Sequence, residues 1–155
     1  MDNSVEVLIK LVRIALGNDA DLSLPNVDDW RKVYDLSLQH GVAAIAVDGL
    51  QKIYDSSSEL SLTIDMPGNE KLKYQWFSNA LFSEDVFKDY YSVLHSLLDE
   101  TSVHDIPILL IKGYVMSLNY PVPEHRSVGD IDIFPVGKNK WNLLNDLMKE
   151  KPRFK

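Results

Sequence analysis

The sequence predicts an α+β protein in which an N-terminal helical region packs on a partial mixed sheet. Apolar residues recur at helical spacing through most of residues 1–105. Two short apolar runs follow at 107–112 and 129–135, and each is of strand length and bounded by glycine or proline. We therefore divide the chain into a helical region, 1–105, and a sheet-containing region, 106–155.

The first half of the helical region is predicted to form three helices. Asn3 is a residue type that caps helices, and the first helix follows it and ends at the Gly-Asn pair 17–18. A second helix is expected over 27–40. Gly41 separates it from a third helix that begins at Val42.

A loop and one long helix complete the helical region. Residues 55–68 contain three consecutive serines and a Met-Pro-Gly sequence, a composition typical of loops. A long helix is expected over 69–101, since Pro107 limits how far a helix can continue. Its apolar stripe consists of Leu72, Trp76, Ala80, Phe87, Tyr90, Leu94 and Leu97.

Two carboxylates in the second apolar run indicate a metal site. Successive strand side chains point to opposite faces, so Asp130 and Asp132 should project together while Ile131 and Ile133 face the core. Oxygen ligands of this kind suit Mg²⁺, which keeps some water for a phosphate substrate. Gly113, at a strand-to-helix turn, would let the backbone and the following helix N-terminus approach that phosphate.

The order of the predicted elements places these residues at one site. The elements are a strand over 107–112, a short helix over 113–119, a stiff loop over 120–124, a strand over 129–135 and a helix over 138–150. Gly113 follows the first strand, whereas Asp130 opens the second. If the two strands are neighbours, they must therefore run antiparallel for the two residues to meet.

Residues 107–136 resemble the nucleotidyltransferases of the DNA polymerase β superfamily, whose signature is a glycine-led turn followed by Asp-x-Asp on the next strand. More narrowly, the pattern is similar to a bacterial group of nucleotidyltransferases of unknown substrate that carry a helical N-terminal region. The residues that support this resemblance are, in order, Lys112, Gly113, Tyr120-Pro121, Arg126, Asp130 and Asp132. It implies Mg²⁺-dependent transfer of a nucleoside monophosphate from a nucleoside triphosphate (NTP) to an acceptor.

The resemblance also implies roles for individual residues. Asp130 and Asp132 would be the catalytic residues that hold the metal. Nucleotide binding would fall to Lys112, Gly113, Tyr114 and Arg126.

Each of these roles has a structural alternative. Asp130 and Asp132 would otherwise be a polar strand edge, and Gly113 an ordinary helix start. Lys112 would either contact a phosphate or pair with one of the carboxylates. Arg126 would either clamp a phosphate or orient Asp130. The superfamily has a small or hydroxylated residue where this chain has Tyr114, and a partly buried aromatic ring is the alternative at that position.

The third carboxylate of the superfamily lies on a later strand. Beyond Asp132 this chain has Asp146 and Glu150, and both fall within the last predicted helix. We therefore expect the chain to be truncated before that strand, to be weakly active or inactive alone, and to resemble the front half of an enzyme. A sheet that lacks its later strands would expose an edge, which predicts self-association.

Composition limits the other classes of function. The chain has no cysteine, which excludes disulfides and thiolate metal sites and is typical of a cytoplasmic protein. Its four histidines lack zinc-ligand spacing, and no apolar run approaches the roughly 18 residues of a membrane span.

Charge is unevenly distributed along the chain. Residues 1–111 carry 8 Lys/Arg against 18 Asp/Glu, and residues 112–155 carry 8 Lys/Arg against 5 Asp/Glu. The acidic helical region is thus a poor surface for nucleic acid, whereas the basic part suits a triphosphate.

Two functions follow from these observations. One is a metal-dependent nucleotidyltransferase, whose acceptor the sequence does not identify. The other is a non-catalytic interaction module, either a degenerate member of the same family or one whose helical surface binds a partner such as a toxin. NTP binding that depends on a metal would favour the enzyme.

Overall fold

The computed structural model of the protein describes residues 3–57 and 70–150. In that part of the chain the predicted α+β class is confirmed. The helices are α1 (Ser4–Ala15), α2 (Trp30–Gln39), α3 (Ala43–Ser57), α4 (Glu70–Val103), α5 (Tyr114–Ser117) and α6 (Lys140–Glu150). The strands are β1 (Ile108–Leu110) and β2 (Ile133–Pro135), and a 3₁₀ helix spans Pro123–His125. Among the described residues, no helix combines the length and apolar character needed to cross a membrane.

The starts of the first two helices show where local sequence signals were misinterpreted. Asn3 occupies the N-cap position of α1 as predicted, but its side chain makes no capping hydrogen bond and donates instead to the carbonyl of Asn26. The second helix begins at Trp30, three residues later than predicted. Its true cap is Asp29, whose carboxylate accepts the backbone N–H of Lys32 at 3.2 Å.

The ends of α3 and α4 bracket the loop predicted over 55–68. α3 continues to Ser57, so the first part of that loop is helical instead. Residues 58–69, which hold the rest of the predicted loop, lie outside the described part of the chain. α4 begins at Glu70 and ends at Val103, within two residues of its predicted limits.

The core of the helical region forms where α1 crosses α3. A Cβ built on Gly49 would lie 2.2 Å from the carbonyl oxygen of Leu11, so the two helix backbones touch where residue 49 has no side chain. Trp76 of α4 closes this core at 1% exposure, and its indole N–H donates to the carbonyl of Ala43 at 2.9 Å. Other buried members of the cluster are Val7, Leu8, Ile14, Trp30, Val33, Tyr34, Val47 and Leu50.

α4 also packs against the sheet-containing region. Its later residues Phe87 and Leu94 form a second buried cluster with Tyr114 and Val128. A third cluster joins Ile106 to Leu144 and Leu147 of α6. The long helix therefore connects the helical region to the elements that carry the sequence motif.

The two strands pair antiparallel, which confirms the orientation predicted for neighbouring strands. Leu109 lies opposite Phe134, and Leu110 lies opposite Ile133. In the described residues the sheet has these two strands, and a mixed sheet stays a prediction.

The second strand is shorter than predicted. The strand expected over 129–135 begins at Ile133, so Asp130 and Asp132 lie in the segment that leads into β2, and their placement on the strand itself was wrong. One further ladder bond is present, since the N–H of Ile111 donates to the carbonyl of Asp132 at 3.0 Å. Pairing ends there because the chain turns at Gly113, where φ is +61°.

One face of the hairpin carries exposed apolar side chains. Leu109 and Phe134, which pair across the strands, are 56% and 45% exposed. The ring of Phe134 meets that of Trp141 edge-on at 5.8 Å. We call Leu109, Ile111, Phe134, Val136 and Trp141 the apolar hairpin surface; all five are about half exposed.

Candidate active site

Gly113 and Asp130 are in direct contact, as predicted. A Cβ built on Gly113 would lie 2.2 Å from the carbonyl oxygen of Asp130 and 3.0 Å from its carboxylate atom Oδ1. The dihedral angles of Gly113, φ +61° and ψ −115°, also belong to a region that L side chains rarely adopt. Both the close approach and the backbone conformation therefore require glycine at this turn.

Asp132 lies beside Lys112. The ammonium of Lys112 is 3.3 Å from Oδ2 of Asp132, and the two side chains are 65% and 29% exposed. Oδ2 is nevertheless buried and makes no hydrogen bond to the described residues, because the ammonium approaches outside hydrogen-bond geometry. The structure thus brings Lys112 to a carboxylate, one of its two predicted alternatives, and leaves one carboxylate oxygen without a hydrogen-bond donor.

Arg126 holds the glycine turn. Its Nη1 donates to the carbonyl oxygen of Gly113 at 2.7 Å, and within the described residues it makes no other hydrogen bond or ion pair. Neither predicted role, clamping a phosphate or orienting Asp130, is tested by this contact. A guanidinium carries five N–H donors, so this hydrogen bond uses one of them.

Tyr114 places its ring in the core. The ring is 7% exposed and stacks on Phe87 with a centroid distance of 4.8 Å, and burial raises the pKa of its phenol. The alternative of a buried aromatic ring is therefore the one observed, and a nucleotide contact here would involve the backbone.

The helix behind Gly113 is also shorter than predicted. The helix expected over 113–119 is α5, which has four residues, or about one turn. An extended positive helix end behind the turn is therefore not present. The phosphate-binding prediction now depends on the turn itself and on the neighbouring cations.

The sequence of the chain matches a known protein family. The model of a family described as an uncharacterised nucleotidyltransferase matches residues 26–151. The chain belongs to this nucleotidyltransferase family. The matched region begins before α2 and includes all six predicted site residues. Comparison with curated proteins finds no match, and neither does comparison with solved structures.

The donor atoms of this nucleotidyltransferase suit Mg²⁺ in kind. Mg²⁺ is commonly held by one or two carboxylates together with substrate phosphates and water. Asp130 and Asp132 offer two carboxylates, one with a buried oxygen that lacks a hydrogen bond. In the described residues, no group of three or more histidine, aspartate or glutamate side chains converges as a metal site.

The acidic residues after Asp132 do not join the site. Asp146 and Glu150 both lie on α6, as predicted. The carboxylate of Asp146 is 70% exposed and pairs with Lys149 at 2.9 Å. This placement gives no indication that Asp146 serves as the third carboxylate.

One partly buried cluster near the site was missed by sequence reasoning. His125, in the 3₁₀ helix, places Nδ1 2.8 Å from Asp48 of α3 and Nε2 3.4 Å from Glu84 of α4. The hydrogen bond to Asp48 is the main reason that the pKa of His125 is raised. Its partners lie 77 and 41 residues away in sequence, so no local spacing signals the cluster.

Proposed function

We propose that this nucleotidyltransferase transfers a nucleoside monophosphate from an NTP to an acceptor, with Mg²⁺ held by Asp130 and Asp132. One observation supports this most directly. Gly113 lies in backbone contact with Asp130, while the neighbouring Asp132 keeps a buried oxygen without a hydrogen bond. The arrangement places the glycine turn, with Lys112 and Arg126 beside it, next to two aspartates whose oxygens are of the kind that Mg²⁺ prefers.

The narrower assignment is to the DNA polymerase β superfamily. It is supported by the order of the motif and by the antiparallel pairing that brings Gly113 to Asp130. When bound, Mg²⁺ would neutralise phosphate charge during transfer. Asp130 and Asp132 are the residues that would hold it.

The remaining site residues would bind and orient the triphosphate. Lys112, beside Asp132, and Arg126, which donates to the carbonyl of Gly113, would supply positive charge next to the glycine turn. In the transfer, an acceptor oxygen bonds to the α-phosphorus while the bond from that phosphorus to the bridging oxygen breaks. Pyrophosphate leaves, and the acceptor proton passes to solvent.

We further propose that residues 1–155 alone are weakly active. In the described residues no group of three or more acidic or histidine side chains forms a metal site, and a two-metal site usually needs a bridging ligand beyond Asp130 and Asp132. Acidic residues predominate over basic ones in residues 1–111, which disfavours a nucleic-acid acceptor and leaves a protein or small-molecule hydroxyl as the preferred class.

The test is metal-dependent nucleotide binding by the chain. A non-hydrolysable NTP analogue is titrated by calorimetry with and without Mg²⁺, and Mn²⁺ replaces Mg²⁺ to broaden nearby NMR signals. We expect binding that requires the metal, broadening centred on Gly113 and Asp130, and affinity at least about tenfold weaker in Asp132→Asn. Asp146→Asn is the matched control and should bind normally, because that carboxylate is exposed on α6.

Two further outcomes separate the alternatives. Pyrophosphate release in the presence of an acceptor, lost in Asp132→Asn, would establish the transfer itself. Failure of the chain to bind nucleotide under any metal condition would contradict the proposal and favour the non-catalytic interaction module.

A further inference from the structure

His125 connects the helical region to the glycine turn by contacts on both sides of its ring. Nδ1 reaches Asp48 of α3 at 2.8 Å, and Nε2 reaches Glu84 of α4 at 3.4 Å. The His125 side chain is 11% exposed, and those of Asp48 and Glu84 are 20% and 36% exposed. One imidazole therefore joins two helices that are distant from it in sequence.

The backbone beside His125 is anchored to α4 as well. The hydroxyl of Ser83 donates to the carbonyl of Glu124 at 2.8 Å, one residue before His125. Ser83 and Glu84 are adjacent on α4, so this helix holds both the backbone and the ring of the 3₁₀ segment. The position of the segment is thus set by α3 and α4 rather than by its own single turn.

The position of His125 affects the candidate site through the next residue in the chain. Arg126 directly follows His125 and donates to the carbonyl of Gly113 at 2.7 Å. Gly113 in turn touches Asp130. A displacement of His125 would therefore move the guanidinium of Arg126, and with it the turn that lies against Asp130.

We propose that His125 is a positioning residue, which uses Asp48 and Glu84 to hold Arg126 against the Gly113 turn. Its effect on catalysis rests on the proposed function, whereas its effect on the turn does not require a nucleotide. Within the described part of the chain, the ring's hydrogen bonds go to Asp48 and Glu84 and not to a predicted site residue. A histidine that merely stabilised the packing of α3 and α4 would leave the environment of Gly113 unchanged.

The charges around His125 make its contacts with Asp48 and Glu84 depend on pH, and this dependence can be measured. The charged groups that act on its ring are Asp48 and Glu84, both negative, and both favour the protonated imidazole. Loss of the proton removes one of the two N–H donors, so one carboxylate contact must weaken. A group that His125 positions should therefore respond as the ring titrates.

The experiment follows NMR signals of the free chain as pH rises. The His125 ring protons give the titration of the imidazole, and the backbone amide of Gly113 and the Nε–H of Arg126 report on the turn. We expect both reporters to move with the same midpoint as the His125 ring. The movement should disappear in His125→Asn, while His104→Asn, at an exposed position after α4, should leave it unchanged.

A second variant separates positioning from folding. Asp48→Asn keeps an oxygen acceptor near Nδ1 of His125 but removes its negative charge. The chain should therefore fold, and the titration midpoint shared by His125, Gly113 and Arg126 should move to lower pH. In nucleotide titrations, both His125→Asn and Asp48→Asn should weaken affinity by about three- to tenfold, as loss of a charged hydrogen bond allows. His104→Asn should retain the affinity of the unaltered chain.

The results separate this inference from the proposed function. If the chain binds no nucleotide but Gly113 and Arg126 still titrate with His125, the positioning role stands and the proposed function fails. If nucleotide binds but neither reporter follows His125, or if both keep their titration in His125→Asn, the positioning role is overturned. Neither result depends on the identity of the acceptor.

Discussion

The carbonyl oxygen of Asp130 occupies the space that a side chain at residue 113 would need. The two backbones approach so closely that a Cβ on Gly113 would come within 2.2 Å of that oxygen. A side chain at residue 113 would therefore displace the backbone that carries the first carboxylate. This contact is the structural basis for the first prediction.

Gly113→Ala should destabilise the chain and disrupt the site together. The left-handed φ and the contact with Asp130 backbone should lower the free energy of unfolding by about 3 kcal/mol or more. Gly17→Ala is a matched control, since Gly17 has φ +74° but nothing within 4 Å of the added Cβ, and it should cost about 1 kcal/mol. Equal losses in denaturant unfolding would show that the close approach to Asp130 adds nothing.

Arg126→Ala should loosen the Gly113 turn. It removes a charged hydrogen bond of 2.7 Å, so we expect a loss of about 1 to 2 kcal/mol in the free energy of unfolding. Arg126→Gln retains an N–H donor and should lose less stability. If the rest of the guanidinium binds phosphate, both variants should weaken nucleotide affinity, as measured by calorimetry. Normal affinity in Arg126→Gln would instead limit Arg126 to holding the turn.

Lys112→Met should tighten the binding of a divalent cation. The ammonium lies 3.3 Å from Oδ2 of Asp132 and competes with a cation for that oxygen. Because Lys112 is largely exposed, the expected gain is small, about two- to fivefold in Mn²⁺ affinity. Lys149→Met is the matched control, since Lys149 pairs with Asp146 away from the site. Weaker Mn²⁺ binding in Lys112→Met would contradict this view of the ion pair.

The stability of the chain should decrease as pH rises above neutrality. The pKa of His125 is raised in the folded state, mainly by its hydrogen bond with Asp48. Its contribution is therefore fully present below the unfolded value of about 6.5 and is lost as pH rises through the higher folded value. His125→Asn should reduce the free energy of unfolding at pH 6 by about 1 to 2 kcal/mol and should have less effect at pH 9.

The control for this pH dependence is His104→Asn, at an exposed position after α4. It should follow the unaltered chain at every pH in chemical denaturation. A pH dependence that survives in His125→Asn would mean that other groups are responsible.

Contacts in the site could be predicted from the sequence where the contacting residues lie close together along the chain. The order of Gly113, Asp130 and Asp132 was enough to predict antiparallel strands and contact at the turn, because Gly113 follows the first strand and Asp130 precedes the second. The start of β2 at Ile133, and not at residue 129, was missed, because the length of this strand depends on its pairing with the three residues of β1.

Contacts between residues that are far apart in the sequence could not be predicted from it. The bond of Arg126 to the Gly113 carbonyl was not anticipated because carbonyl acceptors are the same at every residue. The cluster of His125, Asp48 and Glu84 depends on how α3 and α4 pack, which helical periodicity does not specify. The buried ring of Tyr114 was foreseen as an alternative because it was unusual for the motif.

Self-association is expected through the hairpin. Its apolar hairpin surface is about half exposed, and unpaired strand edges recruit other strands. Light scattering should show a mass that rises with concentration, and Phe134→Lys should suppress the rise. Tyr74→Lys, which alters an exposed aromatic residue on α4, should not. A constant monomer mass at high concentration would contradict this prediction.

The close contact of α3 with α1 at Gly49 makes the geometry of the candidate site depend on the first helix. Asp48, which holds His125, directly precedes the residue whose missing side chain lets α3 touch the backbone of α1 at Leu11. α1 contains no candidate site residue and lies before the region that matches the family. A substitution that enlarges residue 49 would nevertheless force the two helices apart and shift Asp48 relative to His125. Loss of function caused by changes in α1 would therefore be a long-range geometric effect, and a variant can fail at the turn without any change near it.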